Sequence, residues 1–185
     1  KFHCPLAGRY QLDNAVLALE IMRRLPTLGY PLSQEAIRLG LEKTAWPGRF
    51  TCLMKKPLFF IDGAHNEDAA RRLRESVETY FPGKRLIYIM GVFQDKEYEK
   101  IAAIMAPLAK SVYTVNLPDE HRTLPAEELA RVMQRHCPSD VLVQAEPSIQ
   151  EAGRHALSEA DNKDIILSFG SLSYLGQIIE TVGKY

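Results

Sequence analysis

The chain has 185 residues, 46% hydrophobic and 25% charged, which is the balance of an ordinary globular protein large enough for one domain and part of another. Its formal net charge is zero, which excludes bulk attraction to nucleic acid or an anionic membrane, and no apolar run approaches the ~20 residues of a membrane-spanning helix. Cys4, Cys52 and Cys137 form no C-x-x-C pair, which points to a reducing, cytoplasmic setting and away from a disulfide framework or a structural metal centre.

Leu12–Leu25 is almost wholly apolar, with Asp13 and Asn14 near its start, Arg23-Arg24 at its end and Pro26 beyond. This predicts a buried helix with charges matched to its dipole. Ser33 can cap a second helix that continues through Lys43. Two helices alone cannot bury this much apolar surface, so they are expected to lean on structure outside the chain. The sequence opens at Lys1 with its first motif already under way, which suggests part of a longer protein. Thr44–Arg49 contains Pro47-Gly48 and breaks the helical pattern. The domain boundary is placed there, with 1–45 a helical tail and 46–185 a second domain.

Phe50–Met54 and Leu58–Ile61 flank Lys55-Lys56-Pro57 as a hairpin-like pair, the first an antiparallel edge strand. Leu58–Ile61 is a short continuous apolar run, the habit of a strand covered on both faces. A helix follows over Asp68–Tyr80, stopped by Pro82-Gly83. Beyond it come a strand at Arg85–Met90 and a helix at Lys96–Ala106 capped by Asp95. Next are a strand at Ser111–Val115, a helix at Ala126–His136 with Pro125 at its first position, and a short strand at Asp140–Val143. Ser148 and Glu151 make a capping box for a helix to about Leu157. Ile165–Phe169 is the last strand, and Gly170-Ser171 leads into a last helix through Val182. The alternation predicts an α/β fold: a Rossmann-like, mostly parallel sheet with helices on both faces, preceded by a short helical segment.

Asp62-Gly63-Ala64-His65-Asn66 falls between a strand's carboxyl end and a helix's amino end, where open α/β sheets bind ligands. Gly63 would allow close approach of a ligand to the backbone. A capped polar turn is the plain alternative. Side chains beyond the last apolar residue of the strand are expected to serve a crevice and contribute little to the core. The chain has no G-x-x-x-x-G-K-[ST], no G-x-G-x-x-G after the first parallel strand and no G-x-S-x-G. Residues alone therefore support neither an independent NTPase, a dinucleotide enzyme nor a serine hydrolase. A stand-alone flavodoxin-like binding or signalling module stays open, although a phosphoacceptor domain normally clusters further acids beside Asp62.

The same five residues, preceded by Trp46-Pro47-Gly48-Arg49, resemble the C-terminal domain of folylpolyglutamate and dihydrofolate synthases. These belong to the wider Mur ligase family of ATP-dependent amide-forming enzymes, and the resemblance runs over nearly the whole chain. It implies a Mur ligase C-terminal fold, ATP and Mg2+ as cofactors, and folate or dihydropteroate with L-glutamate as substrates. It also implies a preceding ATPase domain in the same protein, without which this chain is expected to be inactive. Asn14, in Gly8-Arg9-Tyr10-Gln11-Leu12-Asp13-Asn14, looks like the family asparagine on the adenine; Tyr10 stands where the family commonly has His. Arg49 looks like the arginine on the phosphates, whose oxygens suit a guanidinium fork. Asp62 resembles the acid on the ribose hydroxyls, and His65 lies near the phosphates as the candidate catalytic group. Phe169-Gly170-Ser171-Leu172 resembles the family's terminal G-S-L step, where backbone N–H groups at a helix start could hold an anion, which makes Ser171 a substrate-binding candidate. No metal ligand is expected from this chain. A Mur-type ligase with another amino-acid acceptor would carry the same turn; Trp46–Arg49 favours folate.

Overall fold

The computed structural model describes residues 1–183. Helix α1 (Arg9–Arg24), a single 3-10 turn at Leu25–Leu28 and α2 (Gln34–Glu42) precede a hairpin of β1 (Thr51–Lys55) and β2 (Leu58–Ile61). Then come α3 (Glu67–Tyr80), β3 (Leu86–Met90), α4 (Tyr98–Met105), β4 (Ala109–Thr114) and α5 (Ala126–His136). β5 (Leu142–Ala145), α6 (Ile149–Glu159), β6 (Ile165–Phe169) and α7 (Leu175–Val182) complete the chain. The strands form one sheet of six in the order β1-β2-β6-β3-β4-β5. All neighbours are parallel except β1, which runs antiparallel to β2 at the edge.

The alternation of side chains in β3 explains the two-sided packing. Leu86, Tyr88 and Met90 join Leu73 and Val77 of α3, Ile101 and Met105 of α4, and Leu129 of α5. Ile87 and Ile89 point the other way, onto Ala152 of α6 and Leu175 and Ile178 of α7. Every residue of β3 and β6 is buried, as central strands sandwiched by helices require. Each large apolar side chain buried this fully contributes about 1.5–3 kcal/mol. At the carboxyl ends of these two strands, Gly170 adopts φ 116, and a Cβ there would lie 2.2 Å from the Gly91 carbonyl oxygen. Only glycine lets the two strand ends close up in this way.

The structure corrects several expectations. Leu12, Val16, Leu17 and Ile21 of α1 are more than half exposed, so α1 is not buried within this chain. α4 starts at Tyr98, later than expected, with no side-chain cap. Asp95 instead pairs with Lys96 at 2.9 Å and Arg122 at 3.5 Å, which occupies the carboxylate a cap would need. The last helix begins only at Leu175, because Gly170–Tyr174 is spent on a turn. β5 lies two residues later than expected, at Leu142–Ala145. Among the described residues no helix is long and apolar enough to cross a membrane.

Candidate functional site

β2 ends at Ile61, and Asp62 extends its pairing by one step, the Asp62 N–H donating to the Ser168 carbonyl at 2.9 Å. The Asp62 side chain then turns back into the protein. Oδ2 accepts the Phe50 N–H and Oδ1 accepts the Ala64 N–H, both at 2.8 Å. Alongside, the Gly63 N–H donates to the Gly48 carbonyl at 2.8 Å. Two hydrogen bonds thus stitch residues 48–50, ahead of β1, to residues 62–64, behind β2, and the Ala64 bond braces the turn itself. Phe50 has φ 46, the left-handed region that side chains rarely enter. Its ring is buried, stacked on Phe60 with centroids 4.8 Å apart and on Tyr80 at 5.6 Å. The aromatic stack and the carboxylate hold Phe50 in that conformation, and Arg49 is its immediate neighbour.

A cleft of about 880 Å³ opens here. Tyr10 and Asn14 of α1 line one wall; Arg49, Asp62, His65 and the first turn of α3 line the other. His65 places Nδ1 2.8 Å from the Gly63 carbonyl. A carbonyl can only accept, so Nδ1 carries the proton and Nε2 is left for another partner. Asn66 caps α3 by accepting the Ala69 N–H at 2.9 Å, orienting the positive end of that helix dipole toward the same turn. Arg49 makes no ion pair among the described residues. Asn14 Nδ2 donates to Gln11 Oε1 at 3.1 Å.

Burial is the strongest influence on Asp62 and pushes its carboxyl up to about 6; the Phe50 and Ala64 amides, then the Arg49 charge and the Tyr10 phenol, pull the other way. Tyr10 is pushed up to about 12, by burial first and the Asp62 charge second, against Arg49. The Tyr10–Asp62–Arg49 cluster is therefore electrostatically coupled across the cleft.

Of the residues singled out from the sequence, Asn14, Arg49, Asp62 and His65 meet in this cleft. Ser171 does not line it: Ser171 is 5% exposed and its hydroxyl is bonded to the Ser173 hydroxyl at 2.9 Å. It also precedes α7 by four residues, so the expected helix-start position is a correction. For Asp62 the structure corrects only the expectation that a side chain beyond the strand contributes little to the core. Asp62 is 3% exposed and accepts two backbone N–H groups, so it is built into the framework of the turn and a ribose hydroxyl would have to share its oxygens. Gln11, buried beside Asn14, and Asn66, the cap of α3, line the cleft without having been singled out. An Asn directly before Glu67-Asp68 was the readable signal for that cap. Among the described residues no three His, Cys, Asp or Glu side chains gather to hold a metal ion.

The family described as Mur ligase, glutamate ligase domain, matches residues 48–172. The chain belongs to this family. A dihydrofolate synthase/folylpolyglutamate synthase of Bacillus subtilis is 27% identical over 94% of the chain and 39% of its own length. A solved Mycobacterium tuberculosis folylpolyglutamate synthase, complexed with ADP and AMPPCP, superimposes with a TM-score of 0.79 at 28% identity, covering 97% of this chain and 40% of that one. Escherichia coli FolC, in complex with DHPP and ADP, shares the fold with a TM-score of 0.82 at 24% identity, over 99% of this chain and 41% of that one. The chain thus spans about two fifths of the length of these Mur ligase relatives, matching their C-terminal portion.

Proposed function

We propose that this chain is the C-terminal part of a cytoplasmic, ATP-dependent ligase that joins L-glutamate to a folate or dihydropteroate carboxylate. The observation that carries the reading is the cleft itself: an unpaired Arg49 guanidinium and a free His65 Nε2 beside the amino end of α3. These are the groups an oligophosphate needs, a fork of donors, an imidazole nitrogen and a positive helix end. The likeness to a relative complexed with ADP and AMPPCP supports the same reading.

In the proposed reaction the γ-phosphoryl of ATP passes to the folate carboxylate and ADP leaves. The glutamate nitrogen then attacks the acyl carbonyl, releasing phosphate and forming the amide. Asn14 and the apolar wall of α1 face the base. Arg49 neutralises phosphate charge, and His65 offers Nε2 where that charge shifts during transfer. The described residues fit a nucleotide but gather no metal-ligand set. Mg2+ would be held by the nucleotide phosphates and by the rest of the protein, where it would neutralise phosphate charge. We place the phosphate-binding loop in a preceding ATPase domain, with residues 1–45 its helical tail and 46–185 the closing domain. Closure over the cleft would assemble the site and exclude water.

Glutamate addition by the full-length protein, with and without Arg49→Ala and His65→Ala, tests the reading. Loss of ATP-dependent amide formation in both, with folding retained, is expected. Full activity of the Arg49→Ala and His65→Ala variants would overturn it. Acceptor assays with other amino acids distinguish a Mur-type ligase of different specificity.

A further inference from the structure

We infer that Gln11 is a positioning residue that makes the cleft select a 6-aminopurine nucleotide over a 6-oxopurine one, by taking one N–H of Asn14. The inference rests on the reading that Asn14 faces the base and adds what fixes the direction of that amide. Three observations carry it. Gln11 is buried, 5% exposed, on a helix whose Leu12, Val16 and Leu17 are more than half exposed. Burying a carboxamide is unfavourable unless its polar atoms are bonded, so burial of the glutamine in place of the leucines points to a bond it makes. Gln11 Oε1 accepts that bond from Asn14 Nδ2 at 3.1 Å, across one turn of α1. Asn14 itself is exposed and lines the cleft, and no other side-chain bond is given for it among the described residues.

The direction of both amides follows from their neighbours. Burial first, and then the Asp62 charge, push the Tyr10 phenol up to about 12, while Arg49 and the Gln11 amide pull it down. An amide that lowers a phenol's pKa donates to its oxygen, so the Gln11 nitrogen faces Tyr10 and the Gln11 oxygen faces Asn14. The start of α1 is also held, the Gln11 N–H donating to the Gly8 carbonyl at 3.0 Å and the Gly8 N–H to the Tyr80 hydroxyl at 3.3 Å. An Asn14 amide turned by half a revolution would set Oδ1 against Gln11 Oε1, two acceptors with no proton between them. In the direction found, Asn14 shows the cleft one free Nδ2–H beside a free Oδ1. Adenine offers the complement, the N6 amino donor next to the N7 acceptor. A 6-oxopurine offers two acceptors, O6 and N7, and so needs two donors. One of the two on Asn14 is already spent on Gln11, and Oδ1 would face O6. Without Gln11 both N–H groups come free, and the amide can turn to give one to O6 and the other to N7.

The experiment measures the dissociation constants of ADP and of IDP, its hypoxanthine counterpart, on the full-length protein by calorimetry. The two ligands differ at the base alone, so their ratio cancels any change that acts through the phosphates, the ribose or the fold. The variants are Gln11→Leu, Gln11→Glu and Asn14→Ala, with melts to exclude unfolded material. The parent should bind ADP roughly tenfold or more tighter than IDP, the discrimination expected of one bidentate pair. Gln11→Leu should bring the two constants to within about threefold of each other, and Asn14→Ala should do the same. Gln11→Glu keeps an acceptor for Asn14 and should hold the parent ratio to within about threefold, even where its added charge weakens both ligands. It decides the matter by itself should Gln11→Leu not fold. A Gln11→Leu variant that loses ADP and IDP affinity equally has lost only structure, and that would overturn the inference. A parent without preference would overturn it too, as would a Gln11→Glu variant that loses the preference. An Asn14→Ala variant that keeps the parent ratio would overturn the reading of Asn14 at the base, so the two failures are distinct.

Discussion

The Phe50 N–H donates to Asp62 Oδ2 at 2.8 Å, which ties the residue before β1 to the residue after β2. With Oδ1 on the Ala64 N–H, the carboxylate is the knot of the whole connection. Asp62→Ala leaves two donors without this acceptor in a buried place. Each such donor costs about 1–3 kcal/mol, and relief of the buried charge offsets part of it, so a net loss of about 2–4 kcal/mol is expected. Urea unfolding measures it. An unchanged midpoint would show the knot to be dispensable.

The raised carboxyl has a pH signature. Asp62 titrates near 3.8 when exposed and at about 6 in the fold, so between those values the native state binds more protons than the unfolded state. Its contribution to stability is then greatest below 3.8 and is lost as pH rises through about 6. The melting temperature of the parent relative to Asp62→Asn should fall across that window and level off above it. A difference that grows with pH would mean that the amide hydrogen bonds outweigh burial.

Arg49→Lys separates charge from shape. A lysine keeps the positive charge but cannot present two parallel donors to phosphate oxygens. In the full-length protein, Arg49→Ala is expected to lose roughly 1.5–3 kcal/mol in kcat/KM for ATP, with Arg49→Lys recovering only part. Complete recovery would make Arg49 a simple source of field.

Much of this was readable before any coordinates. The apolar run Leu58–Ile61 ending in Asp62-Gly63 announced an interior strand and its turn, because a strand covered by structure on both faces has few polar positions to spare. Asp62 and His65 were legible as members of one turn for the same reason, whereas Arg49 joined them only through the family resemblance. The inward turn of the Asp62 carboxylate was not legible. It depends on Phe50, twelve residues away in sequence, adopting a backbone conformation that no periodicity encodes. The late start of α7 escaped as well, since Leu172 continues the apolar spacing of Leu175 and Ile178 although it belongs to the turn.

Gly170 makes a sharp test of how tightly the strand ends are set. Its φ of 116 disfavours any side chain, and a Cβ would meet the Gly91 carbonyl oxygen at 2.2 Å, backbone that cannot step aside. Gly170→Ala combines backbone strain with overpacking, each worth about 1–3 kcal/mol, so a loss of about 2–4 kcal/mol is expected by denaturant unfolding. Gly83→Ala is the control: φ is 71 there, yet nothing lies within 4 Å of the added atom. It should cost less, from the strained backbone alone. Equal losses would show that the contact with Gly91 is relieved by a small shift of the strands.

The exposed face of α1 calls for a partner. Leu12, Val16, Leu17 and Ile21 recur at helical spacing and are between 54% and 63% exposed, whereas Tyr10, Asn14 and Ala18 of the same helix line the cleft. One side of the helix therefore faces the cleft and the other faces water. In the proposed full-length ligase the outer side packs against the preceding ATPase domain, so α1 would be gripped between that domain and the cleft. Hydrogen exchange compares the two contexts. In the isolated chain the amides of α1 should exchange far faster than those of β3 and β6, which are buried throughout. In the full-length protein α1 should slow toward the sheet, because its opening would then also require separating the domains. Val16→Glu sharpens the result. It should leave the isolated chain's stability within about 0.5 kcal/mol, as surface changes do, while lowering the melting temperature of the full-length protein through an unpaired charge at a dry interface. Equal exchange of α1 in both contexts, together with a harmless Val16→Glu, would mean that this face meets solvent in the intact protein.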